Sequence, residues 1–324
     1  MTFADLKNDF VFRRIFATHP DILLRLLNDL LERQGSEEIE SIEYLPSEQL
    51  PIAAGAKLSI LDVRCKDRSG TTFVVEMQLI HLPGFINRVV YNACKAYVGQ
   101  LKVGERYTTL TDVVAISICD FELWPDEQQN CEHLPRVPML SRWNMTERQS
   151  GNQGLLQVQY AFLELPKLPT SKPETGADQW AWLFVHAPEL TEIPADLTPG
   201  PYRDALELAN ESTFTPSELD AYQRVWDEIN QAILLAEVKL AQGLAEGLAK
   251  GKAEGLAEGK AEGIAEGKAS AVLEILAARG VPISDEARAH IQGCKDLSTF
   301  QQWIARAITA TSVEEVIGGS VEPS

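Results

Sequence analysis

The stretch KLSILDVRCKDRSGTTFVVEMQLI, residues 57–80, decides the fold. It reads as two strands joined by a tight turn. The first, Leu58 to Cys65, and the second, Thr71 to Ile80, are apolar and β-branched with polar residues interleaved. Lys66-Asp67-Arg68-Ser69-Gly70 between them is turn chemistry. A three-residue loop of Arg68, Ser69 and Gly70, with Gly70 left-handed, sets the pairing. That register puts Asp62 opposite Glu76, with Gln78 two residues on and therefore on the same face. The reverse face carries Leu61, Val63 and Cys65 against Phe73, Val75 and Met77.

Two carboxylates side by side on adjacent strands repel one another. One of them has its pKa raised unless a cation sits between them. A hard divalent ion with oxygen ligands, Mg²⁺ or Mn²⁺, satisfies both and keeps water for chemistry. The alternative is a solvated strand face with alternating polar residues, and the pair alone leaves both readings open.

The wider pattern resembles a known family. Asp62, then thirteen residues, then Glu76-Met77-Gln78 looks like the bipartite core of the PD-(D/E)XK nucleases in its E-x-Q form. Asn8-Asp9-Phe10-Val11-Phe12-Arg13-Arg14-Ile15-Phe16, Leu61-Asp62-Val63 and Val75-Glu76-Met77-Gln78 resemble the recombination-promoting nucleases. So do Arg88, Tyr91, Tyr97, Gln100, Gly104 and Tyr107. Members of that family are also described as transposases of the PD-(D/E)XK superfamily. The resemblance is good over residues 1 to about 120 and weaker beyond. It implies a restriction-endonuclease-like α/β fold, a mixed sheet flanked by helices. It also implies a metal held by Asp62 and Glu76, with Gln78 in place of the lysine that orients the attacking water. A Gln cannot act as a cation. The family uses an acidic residue on its first helix, and Asp9 is the matching position.

At 324 residues the chain is long enough for a sizeable core and more than one unit. A hydrophobic fraction of 45% and six Trp fit a globular protein. No apolar run approaches about 18 residues, so no membrane span is expected. The N-terminus MTFADLKNDF has neither a basic nor an apolar leader region, so no secretory signal is expected. Five scattered cysteines (65, 94, 119, 131, 294) without a C-x-x-C suggest reduced thiols and a cytoplasmic location. A net charge of −18 argues against a generic DNA binder, which usually shows a basic footprint. The acidity is uneven. Residues 1–120 carry 13 Lys+Arg against 16 Asp+Glu, whereas residues 121–240 carry 8 against 19. The hairpin region is thus nearly neutral, and bound metal would offset part of its charge.

Along the chain, residues 5–17 read as a short amphipathic helix with Phe10, Phe12, Ile15 and Phe16 apolar. The isolated basic pair Arg13 and Arg14 is expected to be solvated rather than bound to phosphate. A second helix starts at Pro20 and runs to about Arg33 with leucines at helical spacing. Ile39 to Leu50 reads as an edge strand and loop, bounded by Pro46 and Pro51. After Pro83-Gly84 a helix runs from Phe85 to about Leu101. On it, Arg88 either grips phosphate through its planar fork or pairs with Glu76 or another acid. Tyr91 is a further candidate, read as a packing residue with its hydroxyl at the rim. Val113 to Cys119 is a continuous apolar strand fit for a sheet centre. Phe121 to Arg148 reads as loop, followed by a strand around Gln157 to Leu163. Helices are expected from Trp180, over 202–209 and over 216–240. His133 and His186 are expected to be structural or exposed. No Ser-His-Asp, H-E-x-x-H, G-x-x-x-x-G-K or G-x-G-x-x-G context appears.

Residues 243–270 repeat with a period of four, with glycines at 243, 247, 251, 255, 259, 263 and 267. Ala, Glu and Lys favour helix, but each Gly costs about 1 kcal/mol relative to Ala. Only Glu246 and Lys250 form a favourable i,i+4 pair, and successive glutamates repel. The pattern drifts ~40° per repeat, so no straight stripe forms. The expectation is either a semi-rigid tether or a homo-oligomer through this helix. Three short helices follow. The expected division is a nuclease-like domain over 1–235, a tether over 236–270 and a small all-α module over 271–319. The expected activity is Mg²⁺- or Mn²⁺-dependent DNA endonuclease, linked to recombination or transposition. The alternative is a nuclease-derived nucleic-acid-binding or assembly protein without hydrolysis.

Overall fold

The computed structural model describes residues 2–49, 59–125 and 135–318, with the backbone alone at 59 and 60. Lys57, Leu58, Leu50, Pro51, Cys131 and His133, named above, lie outside the described residues. The chain divides into two compact units, residues 1–230 and 231–324.

In the first unit, β4 (Val63–Asp67) pairs antiparallel with β5 (Thr72–Gln78), matching Val63 with Val75 and Cys65 with Phe73. Gly70 at the turn has φ +90°, as the three-residue loop requires. On the far side β5 runs parallel to β6 (Val113–Cys119), which runs parallel to β8 (Leu155–Glu164). Antiparallel edges are supplied by β1 (Ile42–Tyr44) against β4 and by β7 (Leu140–Met145) against β8. The sheet order is therefore β1-β4-β5-β6-β8-β7. A separate two-stranded pairing joins β2 (Glu48–Gln49) to β3 (Ser59–Ile60). All seven residues of β6 are buried, as expected where a parallel strand is covered on both faces.

Alternation along β5 sorts the two layers. Phe73, Val75 and Met77 face a core built by α1 (Asp9–Phe16), α2 (Pro20–Leu30), α4 (Gly176–His186) and α5 (Pro201–Ala209). Phe12, Phe16, Trp180 and Phe184 fill its centre, with stacked or tilted rings among the phenylalanines and Trp180 edge-on to Phe16. Val74 faces α3 (Phe85–Val98), whose Phe85, Val89, Ala93 and Ala96 close the opposite layer.

Three expectations are corrected. Leu61 packs with Val74 and the α3 layer, not with Val63 and Cys65. The chain bends at Asp62, so the period-two alternation is broken there and the forecast strand ends as β3 and β4. Within the stretch read as loop, Leu140–Met145 forms β7. Its Trp143 stacks on Trp124 while most of its residues stay exposed, which hides the alternation. A last short helix, α9 (Val313–Ile317), was not anticipated.

A single helix, α6, runs from Pro216 to Ala278 and belongs to both units. In the second unit its residues 231–264 are exposed throughout. Lys250 there faces Glu254 at 3.9 Å, an i,i+4 partner that the sequence reading omitted. Val272 and Leu276 at its end pack with α7 (Asp285–Gly293), α8 (Leu297–Ala307) and α9 through Ile291, Phe300, Trp303 and Val316. Gly280, at φ +68°, ends α6 as its own N–H and that of Val281 return to Ala277 O and Leu276 O.

Candidate active site

The site lies at the end of β5, on the α3 side of the sheet. Glu76 and Gln78 point there by alternation, and the same register carried one step past β4 sets Asp62 opposite Glu76. Asp62 is a bend residue rather than a strand residue. Its Oδ2 accepts the Met77 backbone N–H at 2.8 Å, so the carboxylate takes a donor that β4 no longer pairs.

Each acidic or amide group is held by a helix side chain. Arg13 of α1 donates from Nη2 to Asp62 Oδ1 at 3.0 Å. Asn92 of α3 donates from Nδ2 to Glu76 Oε1 at 2.9 Å. Arg88, one turn earlier on α3, donates to Gln78 Oε1. Asp9 opens α1 behind the N-cap Asn8, one turn before Arg13. Tyr91 is exposed on α3.

The electrostatics follow from three carboxylates facing two guanidinium groups. Glu76 is pushed up to about 7, first by burial and then by Asp62, while Arg88 and Asn92 oppose the rise and Asp9 adds to it. Asp9 rises to about 6 through burial, Asp62 and Glu228, against Arg13. The cluster therefore carries surplus negative charge that a divalent cation fits. Among the described residues no three His, Cys, Asp or Glu side chains converge as a metal cage. Asp62 and Glu76 are the two adjacent carboxylates that could offer oxygens to a cation. Few carboxylates, with water or phosphate completing the shell, is the usual mode for Mg²⁺.

Of the residues singled out from sequence, Asp62, Glu76, Gln78 and Arg88 are brought together, and Asp9 couples to them electrostatically. Arg88, read as gripping phosphate or pairing with Glu76 or another acid, touches Gln78. Arg13 and Arg14, expected to be solvated, are both in ion pairs, with Asp62 and Glu218 respectively. Sequence reasoning read Arg13 as solvated and did not single out Asn92. The signal available was spacing: Arg13 lies four residues after Asp9, and Asn92 four after Arg88, which places each pair on one helix face.

A family model described as PD-(D/E)XK nuclease family transposase matches residues 6–231. No curated protein and no solved structure matches the chain significantly. Nucleases of the PD-(D/E)XK type generally use divalent metals. The match covers more than half the chain and includes every strand of the sheet, α1, α3 and the residues around Asp62 and Glu76, so the chain belongs to the PD-(D/E)XK nuclease family transposases.

Proposed function

We propose that this protein is a divalent-metal-dependent DNA endonuclease, with Asp62 and Glu76 as the metal-holding carboxylates. The observation that carries the reading is their placement on one sheet face, close enough that Asp62 helps raise Glu76 to about 7. When bound, Mg²⁺ or Mn²⁺ polarises the phosphate and acidifies water. The chain's own residues do the rest. The Met77 N–H fixes Asp62, and Asn92 fixes Glu76. Arg88 occupies the oxygen of Gln78, which directs the amide N–H groups of Gln78 to a water or phosphate oxygen. Hydrolysis would form a bond from the water oxygen to phosphorus as the bond from phosphorus to the sugar oxygen breaks; the water gives up a proton to solvent and the departing sugar alkoxide takes one up.

The test is incubation of supercoiled plasmid with purified protein in Mg²⁺, Mn²⁺ or EDTA. Nicking with metal, lost in EDTA and in Asp62→Ala, is expected. Intact plasmid in both metals, with folded protein, sinks the nuclease reading. In that event the net charge of −18 and the Arg13 pairing of Asp62 favour a nuclease-derived binding or assembly protein.

The wider reading is a role in DNA recombination or transposition, in the cytoplasm, with a nuclease-like domain over 1–235, a tether over 236–270 and an interaction module over 271–319. Leu240, Leu244, Leu248, Leu256 and Ile264 are exposed along α6, which supports self-association through this helix. Light scattering of the full chain at several concentrations tests it, and a strict monomer rules it out. Among the described residues no helix is long and apolar enough to cross a membrane.

A further inference from the structure

Arg13 stands between the carboxylate pair and a cleft of about 910 Å³ whose lining also includes Asp9, Arg14 and Arg224. Its guanidinium reaches Asp62 Oδ1 at 3.0 Å, and its side chain is 45% exposed where that of Asp62 is 11% exposed. The other oxygen of Asp62, Oδ2, is engaged by the Met77 backbone. Oδ1 is held by the mobile side chain of Arg13, whereas Oδ2 is held by the fixed backbone, so Oδ1 is the oxygen that a side-chain movement frees for a cation. The neighbouring Arg14 has no such freedom. It is bound to Glu218 and to Leu208 O, and lies over the Phe214 ring at 4.6 Å.

We propose that Arg13 is a counter-ion that exchanges partners. It neutralises Asp62 while no metal is bound, and turns to a backbone phosphate of the nucleic acid when a divalent cation takes Oδ1. The inference rests on the reading of Asp62 as a metal ligand. Three physical points carry it. A guanidinium beside a newly bound dication is repelled, because like charges at this range interact strongly in a partly desolvated site. Phosphate offers the anion that best fits the planar fork, and accepts two parallel hydrogen bonds from it. The swing needs only side-chain rotation, since Val11, Phe12, Ile15 and Phe16 anchor α1 in the core while Arg13 stays on its open side. Arg13 therefore acts first as a placeholder for the metal and then as a phosphate-holding residue.

The experiment is Mn²⁺ titration of the full chain by calorimetry, with and without a nuclease-resistant phosphorothioate duplex, for wild type, Arg13→Gln, Arg13→Lys and Asp62→Asn. Without duplex, Arg13→Gln is expected to bind Mn²⁺ about fivefold more tightly, the worth of losing one partly exposed ion pair. Its duplex affinity falls about tenfold, and the salt dependence becomes shallower by about one phosphate contact. Duplex and Mn²⁺ strengthen each other's binding in the wild type, and that mutual gain shrinks severalfold in Arg13→Gln. Arg13→Lys keeps the charge without the fork and falls between the two. If Asp62→Asn abolishes Mn²⁺ binding while Arg13→Gln matches wild type in duplex affinity and mutual gain, this inference alone fails. If the wild type binds no Mn²⁺, or Asp62→Asn binds it unchanged, the metal-site reading fails and takes this inference with it.

Discussion

Replacing Glu76 by Gln should raise the stability of the metal-free protein at pH 8. The Glu76 carboxyl is moved from 4.5 to about 7, chiefly by burial and by the neighbouring Asp62. A folded state that raises a carboxyl pKa holds the proton more tightly than the unfolded chain. The resulting stability is present below pH 4.5 and is lost as pH rises through 7, so at pH 8 the ionised group opposes folding. A difference of that size corresponds to about 3 kcal/mol, and the remaining contact of Glu76 with solvent reduces it to about 2 kcal/mol. Gln keeps an oxygen to accept the Asn92 amide hydrogen bond, so the substitution removes the charge without orphaning that donor. The assay is thermal unfolding in EDTA from pH 5 to pH 8. For a unit of this size the expected gain is about 4–8 °C in Tm at pH 8, shrinking towards zero at pH 5. Adding Mn²⁺ should then stabilise the wild type and not the variant. A Glu76→Gln protein that is less stable than wild type at pH 8, or whose difference does not change with pH, refutes the reasoning.

Other consequences follow from groups away from the site. Gly70→Ala adds a Cβ 2.8 Å from Thr111 Cγ2 at φ +90°, and should lower stability by about 1–3 kcal/mol in urea unfolding; a loss under half of that contradicts the turn geometry. Glu164 is fully buried and accepts from the Leu123 and Trp124 N–H groups and from Lys167 Nζ at 3.1 Å. Lys167→Met should therefore cost about 3–5 kcal/mol, part of which Glu164→Gln added to it restores. Trp303→Ala opens the core of the second unit and should remove hydrogen-exchange protection in α7, α8 and α9, leaving that of β5 and β6 unchanged.

The sequence made the hairpin legible because two rules agreed there. Period-two alternation and a turn demanding a left-handed Gly70 selected one register, and β4 and β5 follow it. The rule failed two residues before β4, at Leu61, because the bend at Asp62 changes which face a side chain meets, and alternation carries no sign of a bend. β6 was legible for another reason: a seven-residue run in which only Ser117 is polar has no solvent-facing side. β7 was not, since an edge strand buries little and its polar residues read as loop. In the site, residues that share a strand pair came out of the register directly. Those delivered from helices did not. Arg13 and Asn92 reach the carboxylates only through the packing of α1 and α3, separations of 49 and 16 residues that no local pattern encodes.

The central claim is that Asp62 and Glu76 together hold one divalent ion. Anomalous scattering from crystals grown with Mn²⁺ tests it most directly. The account predicts a peak about 2.1 Å from a carboxylate oxygen of each residue, with the Arg13 guanidinium displaced from Asp62 Oδ1. A peak bound elsewhere, or none at Mn²⁺ concentrations that support cleavage, would contradict it.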